Sequence, residues 1–223
     1  MKKIYFVAFL LILASTNQAF AHKLISHDDS HRDYESALVI PDHKISWAIY
    51  ENLGTNEAKY YTFDAKKGDS FYASIVIPKI PGLEFYSPTI NFIEPNEDER
   101  KFVVEKFLYE GDYPGNEFYE PFGQVTYWER QEINLEIPYD GKYFLVVADE
   151  KNQSGKYSLA VGEVEDFSGE NMFTLLPKAW LDTKLFVNDY ASIVIAFGIF
   201  IAMCSVPVIL IFKKRKIKMK SFS

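Results

Sequence analysis

Tyr143-Phe144-Leu145-Val146-Val147-Ala148 is the stretch that decides the fold. It is short, rich in β-branched and aromatic residues, entered through the turn Tyr139-Asp140-Gly141 and left through a polar loop from Asp149 to Gly155. A run of that length between turn signals reads as a buried strand. Just downstream, Tyr157-Ser158-Leu159-Ala160-Val161 alternates large apolar with small residues, the period of a half-buried strand. Working back, Gln124 to Trp128 and Ile133 to Ile137 read as two strands, Thr89 to Ile93 and Phe102 to Leu108 as two more, and Ser70 to Ile77 as another, ended by Pro78. Ser46 to Leu53 and Lys59 to Asp64 flank Gly54-Thr55-Asn56 and are expected to pair as a hairpin. Roughly eight to ten strands with little helix predict a two-layer antiparallel β-sandwich, jelly-roll-like and all-β.

Segments at the two ends stand apart from this pattern. The chain opens Met1-Lys2-Lys3, followed by an apolar run from Ile4 to Ala14 and then Ala19-Phe20-Ala21. That is the form of a signal peptide over residues 1–21, which places His22 first in the mature chain; an uncleaved signal anchor is the alternative. Tyr190 to Phe212 carries no charge and, as a helix, is long enough to cross a bilayer. Six basic residues follow between Lys213 and Lys220, which marks a cytoplasmic tail over 213–223. The expected organisation is a signal peptide (1–21), a histidine-rich polar leader (22–35), a β-sandwich ectodomain (36–165), a juxtamembrane segment (166–189), one C-terminal transmembrane helix (190–212) and the tail. The ectodomain is then extracellular and the chain a single-pass cell-membrane protein. Phe173 to Phe186, within the juxtamembrane segment, reads either as an interfacial stretch or as a last packed piece of the sandwich.

Charge and cysteine usage narrow the partners. The chain has 24 basic and 31 acidic residues. Setting aside the eight basic residues of the two ends leaves 16 basic against 31 acidic, a net charge of about −15 on the outer part. Such a surface repels nucleic acid, so no nucleic-acid partner is expected. The single cysteine, Cys204, lies in the second apolar run, so the outer part holds no disulfide. At about 168 residues it is long enough to bury a core without one.

The opening Ala37-Leu38-Val39-Ile40, the strand from Ile45 to Leu53, Tyr60-Tyr61-Thr62-Phe63 and Lys67-Gly68-Asp69 together resemble the start of the prokaryotic pre-peptidase C-terminal domain. The ending Gly-x-Tyr-x-Leu-x-Val of that family is present twice, at Gly141 to Val147 and at Gly155 to Val161. The resemblance spans Ser36 to Gly162, departs from the family in a long central insertion, and implies a jelly-roll-like accessory or binding module without catalysis; some relatives bind calcium. The whole layout also resembles membrane-anchored surface proteins of archaea.

No convincing catalytic constellation is present. Gly68-Asp69-Ser70-Phe71 looks like the nucleophile block of GDSL-type hydrolases, but no histidine lies downstream to serve as base, so it reads as a turn. Glu94, Glu97, Asp98 and Glu99 offer oxygen ligands for calcium, yet lack EF-hand spacing and run into Arg100-Lys101. Asn152-Gln153-Ser154 is a glycosylation sequon in a polar loop. Pro81 to Pro88 and Tyr109 to Gly123 mix Gly, Pro, acids and aromatics, and form either a recognition surface or long connections that pack their rings on the sandwich.

All four histidines, His22, His27, His31 and His43, fall at the start of the expected mature chain. A free N-terminal histidine presents amine and imidazole to one ion, as in a copper-binding histidine brace, with His27, His31 or His43 opposite. These four are the candidate metal ligands, for copper, zinc or nickel; a flexible leader with incidental histidines is the alternative. The sequence thus predicts a membrane-anchored extracellular binding or scaffold module and not an enzyme. The alternatives are a copper or other transition-metal binding protein, and an accessory subunit of a membrane complex that engages another surface or membrane protein.

Overall fold

The structure, a computed structural model, describes residues 22–94 and 103–220, with side chains described to residue 205 except at Val103. The expected signal peptide and the acidic residues Glu97, Asp98 and Glu99 lie outside the described residues. The chain divides into two compact units, one ending at Glu170 and one starting at Asn171.

The first unit is a β-sandwich. Its described strands are β1 (Lys23–Leu24), β2 (Leu38–Val39), β3 (Trp47–Leu53), β4 (Ala58–Ala65), β5 (Ser70–Pro78), β6 (Thr89–Glu94), β7 (Val103–Phe107), β8 (Glu117–Glu120), β9 (Val125–Glu136), β10 (Gly141–Ala148) and β11 (Gly155–Val161). One sheet has the order β1-β3-β11-β5-β9-β8 and the other β2-β4-β10-β6-β7. Neighbours are antiparallel except the two short edge strands, where β1 runs parallel to β3 and β2 parallel to β4.

Alternation along the strands builds the interior. Phe71, Ala73, Ile75 and Ile77 of β5 face inward, as do Tyr143, Leu145 and Val147 of β10 and Tyr157, Leu159 and Val161 of β11. Phe63, Phe71, Phe92 and Tyr143 meet at the centre, Phe63 stacking on Phe71 with ring centroids 4.8 Å apart and on Tyr143 at 5.5 Å. Burying each such ring contributes on the order of 1.5–3 kcal/mol. Gly162, just past β11, has φ +76° and a side chain there would meet the Ile45 carbonyl at 2.2 Å, so only glycine fits.

Three expectations about the strands need correction. Strands β3 and β4 do not form a hairpin. The turn between them, closed by Gly54 N–H donating to the Glu57 carboxylate at 2.9 Å, carries the chain from one sheet to the other. A reversal signal is common to hairpins and to such arches; inward residues on both strands, Ile49 and Leu53 against Tyr61 and Phe63, decide for the arch. The two strands expected over 124–137 are the single strand β9, because the polar run that separates them is not a loop. Arg130 and Gln131 are buried there and donate to main-chain carbonyls, including those of Tyr86 and Pro88. Finally, the segment Tyr109 to Gly123 contains a strand, β8, added to the edge of the sheet beside β9.

The second unit is helical. Helix α1 (Met172–Phe186) starts where the Asn171 side chain accepts the Phe173 N–H at 3.1 Å, and helix α2 (Tyr190–Lys220) starts where Asp189 accepts the Ser192 N–H at 3.1 Å. Thus Phe173 to Phe186 is a helix. Among the described residues no helix is long and apolar enough to cross a membrane, so the span expected over 190–212 is not supported.

Candidate metal centre

At the end of the sandwich where β3 arches into β4, the interior becomes polar. Glu51 of β3, Lys59 and Tyr61 of β4, and Tyr157 of β11, which lies directly across from Glu51, all point inward. The leader closes this end. Asp29 takes a left-handed φ of +66° and the Asp28 carboxylate caps the N–H and hydroxyl of Ser30, so the chain turns back between His27 and His31. The His31 carbonyl then accepts the Tyr60 N–H at 3.0 Å, which ties the leader to β4.

This turn brings two imidazoles onto one carboxylate. His31 Nε2 lies 2.6 Å from Glu51 Oε1 and His27 Nε2 lies 3.3 Å from the same oxygen. The two rings meet edge to face with centroids 4.7 Å apart. One ligand atom from each of His27, His31 and Glu51 falls within 4.8 Å of the others. His31 and Glu51 are each 1% exposed, yet His31 Nδ1 and Glu51 Oε2 have no hydrogen-bond partner. Unpartnered buried polar atoms are costly, and two of them fall in this one cluster.

The surrounding charges are arranged in layers. Tyr61 donates its hydroxyl to Glu51 Oε1 at 3.0 Å and pairs with the Tyr157 hydroxyl at 2.8 Å. Burial pushes both phenols well above their ordinary range, so they stay protonated. Lys59 is fully buried; its ammonium bonds the Asp29 carboxylate and stands 4.0 Å from Glu51 Oε2. Partial burial raises the pKa of Asp29, but its hydrogen bonds from Lys59 and Arg32 outweigh that and leave it below the usual carboxylate range. Arg32 also reaches Glu57 at 2.7 Å.

The other two predicted ligands lie elsewhere. The His22 ring meets Ser46 Oγ at 2.6 Å, beside a shallow cavity of about 190 Å³ lined by Tyr72, Gly162, Glu163 and Glu165. His43 is 3% exposed, packs against Phe63 and Phe71, and has Asp69 as its nearest carboxylate at 3.6 Å. Neither joins the group formed by His27, His31 and Glu51. Sequence reasoning missed Glu51, Lys59 and Tyr61. The one signal for them is that a Glu and a Lys occupy inward positions of strands whose other inward residues are apolar. Of the expected calcium ligands only Glu94 is described; burial beside Glu105 raises its pKa.

The two loops rich in aromatics come together on the surface. The Phe85 ring is 5.8 Å from Tyr113, which is 5.3 Å from Tyr109. The Arg130 guanidinium lies against both tyrosine rings and donates to the carbonyls of Glu84, Tyr86 and Pro114. Gly68-Asp69 is a turn, with Asp69 Oδ2 accepting the Lys66 N–H at 3.0 Å and Oδ1 held by Lys44 at 2.7 Å.

The class that these sheets define is a β-sandwich, and it carries one closed polar cluster at its arched end. No protein-family match exists for the chain, and no curated protein matches it. Solved structures similar to it include a pre-peptidase C-terminal domain of collagenase from Bacillus anthracis, at 17% identity over 55% of this chain and 91% of that one, TM-score 0.33. Also similar are the Aeromonas hydrophila periplasmic inhibitor of g-type lysozyme, at 15% identity over 64% and 98%, TM-score 0.34. A third is the surface-associated copper-binding protein CorA of Methylomicrobium album BG8, at 11% over 57% and 98%, TM-score 0.29.

Proposed function

We propose that this protein is an exported, non-catalytic binding module whose ligand is a transition-metal ion held by His27, His31 and Glu51. The observation that carries the reading is the convergence of these three donors within 4.8 Å, with His31 Nδ1 and Glu51 Oε2 buried and without a hydrogen-bond partner and the Lys59 ammonium 4.0 Å from Glu51 Oε2. In a tetrahedral site, ligand atoms about 2 Å from the ion stand a little over 3 Å apart. The 3.3 Å gap from His27 to Glu51 already has that spacing, and the 2.6 Å gap from His31 needs only to open slightly. Two imidazoles and one carboxylate suit zinc or copper better than calcium or magnesium. Burial of His31, Glu51 and Lys59 beneath the leader leaves the ion facing protein rather than a substrate cleft, which favours binding over catalysis.

Titration of zinc and copper into the full chain tests this. Wild type is expected to bind one ion. His31→Ala should weaken binding by about 100-fold or more, beyond the loss of an outer-shell partner, and His22→Ala should leave it unchanged. Binding that survives His31→Ala but not His22→Ala contradicts the site. Glu51→Gln is the better probe of the carboxylate, because it removes the charge but keeps the side-chain volume, whereas Glu51→Ala also opens a void beside the buried Lys59.

Membrane attachment is a separate part of the proposal. It rests on the uncharged sequence from Tyr190 to Phe212, on the basic residues after it, and on Val194, Phe200 and Met203 of α2, which are each more than 60% exposed. Protease added to intact cells should remove the sandwich and spare an epitope placed after Ser223. Digestion of that epitope from outside contradicts the orientation.

A further inference from the structure

Lys59 is the cation already resident in the candidate metal centre. Its side chain has no exposure, and charged groups are rarely buried so fully without partners. Its two partners differ. Asp29 is about half exposed, so its charge is screened by water, whereas Glu51 is buried with Lys59 and faces it at 4.0 Å across an interior that screens little. A divalent ion on Glu51 Oε1 therefore sits near a fixed ammonium that also claims Glu51.

On the metal-binding reading above, we infer that Lys59 is a built-in competitor that keeps the bound ion exchangeable. Without an ion, Lys59 supplies the positive charge that Glu51 requires. When an ion binds, Glu51 turns its charge to the metal and Lys59 is left to Asp29. Each state has a counter-charge for Glu51, so release of the ion does not strand a buried carboxylate. That suits a carrier that gives its metal up, rather than a protein that keeps a structural ion.

The inference makes opposite demands on two variants. Lys59→Met removes the competing charge, so the full chain should hold zinc and copper about tenfold more tightly or better, and give them up to a chelator more slowly. Asp29→Asn removes the anion that draws Lys59 away from Glu51. It keeps a residue that tolerates the left-handed backbone and whose amide oxygen still accepts from Lys59, so the chain should fold with reduced stability, which a melting curve checks before the titration. It should weaken binding by about tenfold. If Lys59→Met does not fold, Asp29→Asn decides alone. Metal bound with wild-type affinity by Asp29→Asn, or more weakly by a folded Lys59→Met, overturns the competitor role and leaves the metal site standing. Failure of wild type and both variants to bind either ion overturns the metal site, and this inference with it.

Discussion

At the scale of single residues, the four histidines have different fates, and His43 shows why. Its ring is buried against Phe63 and Phe71, and burial lowers its pKa, with Asp69 and Asp42 opposing. The unfolded chain, titrating near about 6.5, therefore takes up the proton first, so the stability that neutral His43 contributes is full above that pH and is lost as pH falls. Melting temperature should drop between about pH 7.5 and about pH 5.5, and His43→Gln should flatten part of that slope. An unchanged slope in the variant means that His43 is not the titrating group. Spacing in the sequence groups His43 with His22, His27 and His31. Only the inward period of β3 and β4 separates a core histidine from two that meet a carboxylate, and that period depends on an arch the turn residues do not reveal.

At the scale of elements, the sandwich is fastened at a few places where the backbone has no freedom. Gly162→Ala forces a left-handed residue and a contact with the Ile45 carbonyl, and should cost about 1–3 kcal/mol or more in denaturant unfolding. A cost near zero means that the chain there relaxes easily. Arg130 is the fastener of the loop surface. Arg130→Lys cannot span the carbonyls of Glu84, Tyr86 and Pro114 at once, so limited proteolysis should cut sooner within 109–123 while the circular-dichroism spectrum stays that of wild type. Equal cutting rates contradict that role. The strands themselves were legible. YFLVVA is β10, SFYASIVI is most of β5, and the repeated Gly-x-Tyr-x-Leu-x-Val marks β10 and β11, because alternation and turn residues are local properties. What was not legible was non-local: which sheet each strand joins, and that Arg130 and Gln131 are buried in the middle of β9.

At the scale of the molecule, a sandwich with an aromatic core needs no disulfide, and the sequence has no cysteine in it to form one. Its melting temperature should be the same with and without reductant, and its spectrum β-rich; a mainly helical spectrum of the first unit contradicts the fold. The strong negative charge was visible in composition, but the polar end of the sandwich was not. Asp29, Glu51 and Lys59 lie in three separate segments, and only the leader's turn brings them together with His27 and His31. The central claim is that an ion sits there. Anomalous scattering at the zinc edge from crystals of the metal-loaded chain tests it most directly. The predicted result is a peak bonded to His27, His31 and the Glu51 carboxylate, with Lys59 turned toward Asp29. A peak at His22 or on surface carboxylates, with this cluster still closed by its own hydrogen bonds, contradicts the account.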